Sequence, residues 1–132
     1  MEKTILVVDD NDEIREVYCR FLVLEGYKVT VASNGQEAVE KALETRPHLI
    51  LMDLTLPIMG GLEATRRIKS DVKTQHIPVI LITAYVRKGP SAVIESGCEG
   101  FLVKPCSPTA LRTEIDRVLK RASHHSSENH RS

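Results

Sequence analysis

Four apolar runs punctuate this chain, and each ends in a polar group. Ile5-Leu6-Val7-Val8 runs into Asp9-Asp10, Leu49-Ile50-Leu51-Met52 into Asp53, Val79-Ile80-Leu81-Ile82 into Thr83, and Phe101-Leu102-Val103 into Lys104-Pro105. Short runs without polar alternation read as strands buried on both faces. The pattern predicts strands at Thr4–Val8, Lys28–Ala32, Leu49–Asp53, Pro78–Thr83 and Gly100–Val103. Between them the apolar period lengthens to that of helices. Ile14, Val17, Tyr18, Phe21 and Leu22 share one face of a first helix, with Tyr18 and Phe21 expected in the core; Asn11 or Asp12 can cap its start and Gly26 suits its stop. Asn34 caps a second, with Ala38, Val39, Ala42 and Leu43 inward and Pro47 beyond its end. Gly60-Gly61 opens a third carrying Leu62, Thr65, Arg66 and Ile68. Gly89-Pro90 precedes a short fourth, Ser91–Ser96, stopped by Gly97. Ser107 and Pro108 open a fifth, whose apolar face is Leu111, Ile115, Val118, Leu119 and Ala122.

Five βα units with apolar strands predict an α/β doubly wound fold, a five-stranded parallel sheet covered on both faces with right-handed crossovers. Residues 1–122 read as one domain. Residues 123–132, Ser-His-His-Ser-Ser-Glu-Asn-His-Arg-Ser, lack large apolar side chains and are expected to form a disordered polar tail, a more economical reading of its histidines than a metal site.

Composition narrows the setting. No apolar run is long enough to span a bilayer, and the N-terminus runs directly into a strand with no space for a signal peptide. Cytoplasmic localisation without membrane insertion is expected. Cys19, Cys98 and Cys106 have no metal-ligand spacing and read as reduced, mostly buried small hydrophobes. Eighteen acids balance eighteen bases, so the molecule as a whole makes no electrostatic case for nucleic acid. The halves differ: residues 1–66 hold 12 acids and 7 bases, net −5, and residues 67–132 hold the remaining 6 and 11, net +5. Such asymmetry can guide docking.

In an open parallel sheet, ligands bind at the C-terminal ends of the strands. Asp9, Asp10 and Asp53 would converge there. Three close carboxylates repel, so either one is protonated or a cation neutralises the set. An all-oxygen site suits Mg²⁺, for which Mn²⁺ could substitute. Lys104 adds a fixed positive charge and Thr83 a hydroxyl. Together these make a site for a phosphoryl group, where the work is mainly positioning and charge neutralisation. No G-x-x-x-x-G-K-[ST] or G-x-G-x-x-G follows the first strand, so a nucleotide is not the expected ligand.

The set Asp9-Asp10, Asp53, Thr83-Ala84 and Lys104-Pro105 resembles the receiver domain of bacterial two-component response regulators, in particular its single-domain, chemotaxis-regulator-like members. Pro57, Met59 and Gly61 fit the same pattern, as does Gly97 ahead of Phe101-Leu102-Val103-Lys104-Pro105. The resemblance covers about residues 3–122 and implies a flavodoxin-like strand order, 2-1-3-4-5. It implies that Asp53 is the phosphoacceptor, taking a phosphoryl group from a phosphohistidine of a sensor histidine kinase or histidine phosphotransfer protein. Asp9, Asp10, Asp53 and the backbone carbonyl of Thr55 would hold Mg²⁺. Lys104 would pair with phosphoryl oxygens, Thr83 and Ala84 would engage the phosphoryl group, and Phe101 would turn inward as Thr83 moves. The Lys104–Pro105 bond would be cis. Such a protein is a switch that catalyses only its own phosphorylation and dephosphorylation.

The output would pass through the face made by the fourth helix, fifth strand and fifth helix to a downstream protein. Arg87, Lys88, Arg112, Arg117, Lys120 and Arg121 would make that face basic, suiting an acidic partner or a homodimer; direct nucleic-acid binding is not expected. Leu56 stands where the family often has Met, Gly60 where it often has Asp, and Arg87-Lys88-Gly89-Pro90 where it is often acidic. Tyr85 could shield the phosphoryl group or simply be a partly exposed aromatic. Three rivals stand beside this reading. A phosphohydrolase of haloacid-dehalogenase type would need an acid at Thr55. A flavodoxin-like cofactor binder would set flavin phosphate against three carboxylates. A phosphorylation-silent receiver acting as a protein-binding module would not need the intact set.

Overall fold

The computed structural model describes residues 2–84 and 90–131. Strands β1 (Thr4–Val8), β2 (Lys28–Ala32), β3 (Leu49–Asp53), β4 (Val79–Thr83) and β5 (Gly100–Val103) alternate with helices α1 (Asp12–Leu24), α2 (Gly35–Thr45), α3 (Gly61–Ser70), α4 (Pro90–Glu95) and α5 (Pro108–Arg131). The sheet is parallel in the order β2-β1-β3-β4-β5. The chain therefore steps from β2 on one side of β1 to β3 on the other. The crevice at this reversal opens above the ends of β1 and β3. Val8 is in register with Met52, which sets Asp9 and Asp53 side by side one step later.

β3 and β4 are buried at every residue, as their unbroken apolar runs require. Alternate side chains feed two cores. Ile5, Val7, Leu49, Leu51, Ile80 and Ile82 pack against Leu22 of α1 and Leu111, Ile115 and Val118 of α5. Leu6, Val8, Ile50, Met52, Val79 and Leu81 pack against Ala38 and Ala42 of α2, Ala64 and Ile68 of α3, and Val93 of α4. Side-chain caps start the helices. Asn11 Oδ1 accepts from Ile14 N at 3.0 Å, Asn34 Oδ1 from Glu37 N at 2.8 Å, and Ser107 Oγ from Ala110 N at 3.1 Å. Gly60 leaves α3 without a side-chain cap, as its place in the family pattern suggested.

Several expectations need correction. On α1, only Leu22 is fully buried; Tyr18 and Phe21 are half-buried, and Ile14 and Val17 are exposed. Ile14 and Val17 instead line a groove with Tyr18, Ala84 and Lys104–Cys106, so an apolar face in sequence became partly a groove wall. The three cysteines are half-buried, not core. In α3, Thr65 is inward, its hydroxyl donating to the Gly61 carbonyl at 2.7 Å, whereas Arg66 is exposed. Helical backbone continues through α5 to Arg131, past Ala122, over a polar stretch with no Gly or Pro to stop it.

Among the described residues, part of the expected basic face is paired elsewhere. Arg112 turns to α1, bonding Glu25 at 2.6 and 3.1 Å with its guanidinium 5.8 Å from the Phe21 ring centre. Arg117 is tied to Glu114 at 2.8 Å, and Lys120 lines a hollow with Lys3 and Tyr27. Tyr85, Arg87, Lys88 and Gly89 lie outside the described residues.

Ile58 sits in the left-handed region at φ 69°, although it is β-branched and 84% exposed. That conformation costs an L side chain about 1–2 kcal/mol, and an exposed Ile offers little packing in return. Ile58→Asn, which tolerates this region, is expected to raise stability by about 1 kcal/mol, or about 4 °C in Tm for a chain of this size. Thermal melts of both proteins check this, and an unchanged or lower Tm refutes it.

Candidate functional site

The strand ends bring the chemistry together. Asp9 and Asp53 are buried, Asp53 with 8% exposure, while Asp10 is exposed. One carboxylate oxygen from each of Asp9, Asp10 and Asp53 lies within 4.8 Å of the others. The Lys104 ammonium reaches across from the end of β5, donating to Asp53 Oδ2 at 3.1 Å and Asp9 Oδ2 at 3.4 Å. Lys104 N donates to the Thr83 carbonyl at 2.7 Å, which seats this residue beside the end of β4, and its bond to Pro105 is cis. Thr83 is buried. The remaining carboxylate oxygens are held by turn amides. Asn11 N donates to Asp9 Oδ1 at 2.9 Å and Thr55 N to Asp53 Oδ1 at 3.2 Å.

Among the described residues, the Lys104 ammonium is shared by two of the three clustered carboxylates, Asp9 and Asp53, which leaves negative charge in excess around it at full ionisation. The sharing explains two shifts that look opposed. Lys104 is desolvated, yet two carboxylates press on it and its pKa rises. Asp53 receives only part of one cation, so burial, reinforced by Asp9, outweighs Lys104 and the Thr55 amide, and its pKa rises too. The excess negative charge and all-oxygen donor set fit a small hard dication such as Mg²⁺, with Asp9, Asp10 and Asp53 as its side-chain ligands.

A raised carboxylate pKa has a definite sign in stability. Between the ordinary Asp value and the raised one, the folded state binds more protons than the unfolded chain, so Asp53 makes stability fall as pH rises through that window. Above it the penalty is complete. In chelator, Asp53→Asn is therefore expected to melt higher than the parent at neutral pH, with the advantage shrinking towards pH 4 and below. Melts of both proteins across pH check this; a constant difference would contradict it. Taking the difference removes Glu114, whose Arg117 partner lowers its pKa and gives the opposite slope.

Tyr18 stands at the rim, its hydroxyl 3.8 Å from Cys106 Sγ. Burial, then Cys106, then Asp9 and Asp53 push its pKa up, so it remains a neutral phenol. Phe101 lies on the edge strand and is 42% exposed, with neighbouring Leu102 packed inward. Thr55 is exposed. The groove bordered by Ile14, Val17, Tyr18 and Lys104–Cys106 has a volume of about 610 Å³ and opens beside Lys104.

Two contributors, Arg15 and Gly35, were not singled out in sequence, and a third, Gly61, was named there without this contact. Arg15 donates from Nη1 to the Asp9 carbonyl at 2.7 Å. Gly35 N donates to the Met59 carbonyl at 3.0 Å, and a Cβ on Gly35 would run into that carbonyl. Gly61 N donates to the Leu54 carbonyl at 2.9 Å, bringing α3 against the backbone of Asp53. Only Gly61 carried a signal, as part of a family pattern.

Residues 5–116 match the response regulator receiver domain family. A polar-differentiation response regulator, DivK, of Brucella anthropi is 41% identical over 108 residues, covering 81% of this chain and 88% of the relative. The receiver domain of a Pseudomonas aeruginosa sensor histidine kinase, described with magnesium coordinated in its active-site cleft, is 33% identical. Its TM-score is 0.80, over 92% of this chain and 97% of that one. The chemotaxis protein CheY4 of Vibrio cholerae superposes with a TM-score of 0.84 at 29% identity, over 89% of this chain and 99% of that one.

Proposed function

This chain belongs to the response regulator receiver domain family of two-component signalling, and we propose that Asp53 is its phosphoacceptor. One observation carries this reading: a buried Asp53 faces two further carboxylates and the Lys104 ammonium at the sheet edge. A carboxylate oxygen of Asp53 attacks phosphorus on a donor phosphohistidine. The P–N bond breaks, its electron pair leaves with the imidazole, and an acyl phosphate forms on Asp53. Lys104, displaced from its two carboxylates, offers its N–H donors to the phosphoryl oxygens. A Mg²⁺ ion held by Asp9, Asp10, Asp53 and the Thr55 carbonyl would supply charge neutralisation when bound; Mn²⁺ offers the same hard-ion chemistry. The magnesium described in the Pseudomonas relative supports this assignment.

The switch then runs through Thr83 and Ala84 to Phe101. Phe101 is paired in register with Leu81 on the edge strand, so a change in its rotamer disturbs little of the core. The output is the α4-β5-α5 face, for a downstream protein or a second copy. Exposed Phe101 and Val103 support an interface there with an apolar element. A histidine kinase or histidine phosphotransfer protein supplies the phosphoryl group. Action in the cytoplasm goes with this two-component reading; no helix among the described residues is long and apolar enough to cross a membrane. Thr55, two residues after Asp53, carries no acid for a phosphohydrolase, so the chemistry stays with the protein's own acyl phosphate.

The test is intact mass after incubation with acetyl phosphate, with and without Mg²⁺, beside Asp53→Asn. A Mg²⁺-dependent gain of one phosphoryl group that the variant lacks is expected. An adduct retained in Asp53→Asn overturns the assignment. So does a protein that takes up neither phosphoryl group nor beryllofluoride.

A further inference from the structure

Asp9 and Asp10 reach the site from the turn between β1 and α1, and one side chain, Arg15, holds that turn by its backbone. The last sheet bond on this strand runs from Asp9 N to the Ala32 carbonyl at 3.2 Å. The Asp9 carbonyl lies past the ladder, and Arg15 Nη1 donates to it at 2.7 Å, a charge-assisted bond reaching back six residues. The other arm of the guanidinium, Nη2, donates to Asp12 Oδ1 at 2.6 Å. The Arg15 side chain is only 19% exposed, so its plane is fixed at both ends, whereas that of Asp12 is 88% exposed.

The Asp9 carboxylate is already held by Asn11 N and Lys104. Asp10 is exposed, and the direction of its side chain depends on the peptide that precedes it. That peptide plane, between Asp9 and Asp10, is the one Arg15 holds. We infer that Arg15 is a positioning residue: by fixing this plane it sets how the Asp10 carboxylate stands to Asp9 and Asp53 around a divalent cation. The inference rests on the reading of these three carboxylates as a cation site.

A purely helical role would consist of the i,i+3 pair with exposed Asp12, which does not touch the site. A purely electrostatic role has the opposite sign, because removing a cation near three carboxylates should tighten metal binding. Positioning alone makes loss of Arg15 weaken it. Outer contacts that orient metal ligands are worth about 10–100-fold in affinity.

The experiment is calorimetric titration of Mg²⁺ into the metal-free full chain, for parent, Arg15→Lys, Arg15→Met and Asp12→Asn, with melts in chelator alongside. Arg15→Lys and Arg15→Met should each weaken Mg²⁺ about tenfold while the fold is retained. Asp12→Asn should stay within about twofold, its charge being screened by solvent. Folded Arg15 variants that bind Mg²⁺ as tightly as the parent, or more tightly, overturn the inference. If Arg15→Met does not fold, charge-conserving Arg15→Lys decides alone. A parent that binds no Mg²⁺ overturns the cation-site reading itself, and that failure shows before any variant is compared.

Discussion

Gly61→Ala is expected to lower stability by about 3 kcal/mol, or about 10 °C in Tm, and to abolish most phosphoryl uptake. Helix propensity argues the other way, since Ala is favoured over Gly by up to about 1 kcal/mol inside a helix. Contact decides. A Cβ on Gly61 would drive into the Asp53 carbonyl and lie 2.9 Å from Leu54 Cα and 3.1 Å from Asp53 C. All are backbone atoms at the end of a buried strand and cannot rotate away. Relief requires α3 to back off, which breaks the Gly61 N to Leu54 O bond and shifts the residue that presents Asp53. Gly60→Ala is the control, because its Cβ meets only the Leu54 carbonyl, at 3.6 Å. Melts and acetyl phosphate labelling of both variants check this. If Gly61→Ala melts with Gly60→Ala and is labelled like the parent, the close approach is unimportant.

That contrast marks what a sequence can and cannot carry. The strands were legible because β1, β3 and β4 are buried on both faces, so burial writes an unbroken apolar run. The site was legible for a related reason: each run ends in a polar residue, and parallel strands bring those ends to one edge. The caps Asn11, Asn34 and Ser107 were readable because their contacts are local, three residues away.

What escaped depends on partners that sequence spacing does not encode. Arg15 bonds a backbone carbonyl, and every residue has one, so nothing in the side-chain pattern points to it. Gly35 is demanded by the Met59 carbonyl, from a loop twenty-four residues away. Lys69 joins the Ile77 carbonyl and Glu99, while Glu99 also accepts from Val79 N; this links α3 to the start of β4 across a long span. Periodicity placed Ile14 and Val17 on the apolar face of α1 but could not show that this part of the helix borders a groove beside Lys104. Charge counting fared worst, because Arg112 and Arg117 spend their charge on Glu25 and Glu114.

Lys104→Met should split two properties that a simple loss of structure would move together. Met matches the aliphatic stem and removes the ammonium from Asp53 and Asp9. The three carboxylates would then face a dication without Lys104 competing for them, so Mg²⁺ affinity should rise, by up to about tenfold if the change is worth 1.4 kcal/mol. Phosphoryl uptake should fall by about 10²–10³-fold, the usual loss when one preorganised donor to developing oxyanion charge is removed. The opposite signs follow from one geometry: Lys104 rests on the carboxylates before the phosphoryl group arrives and is positioned for its oxygens afterwards. Mg²⁺ titration and the initial rate of acetyl phosphate labelling, at saturating Mg²⁺, measure the two separately. Weaker Mg²⁺ binding would mean that Lys104 holds the site together rather than competing within it. Labelling at the parental rate would remove it from phosphoryl chemistry altogether.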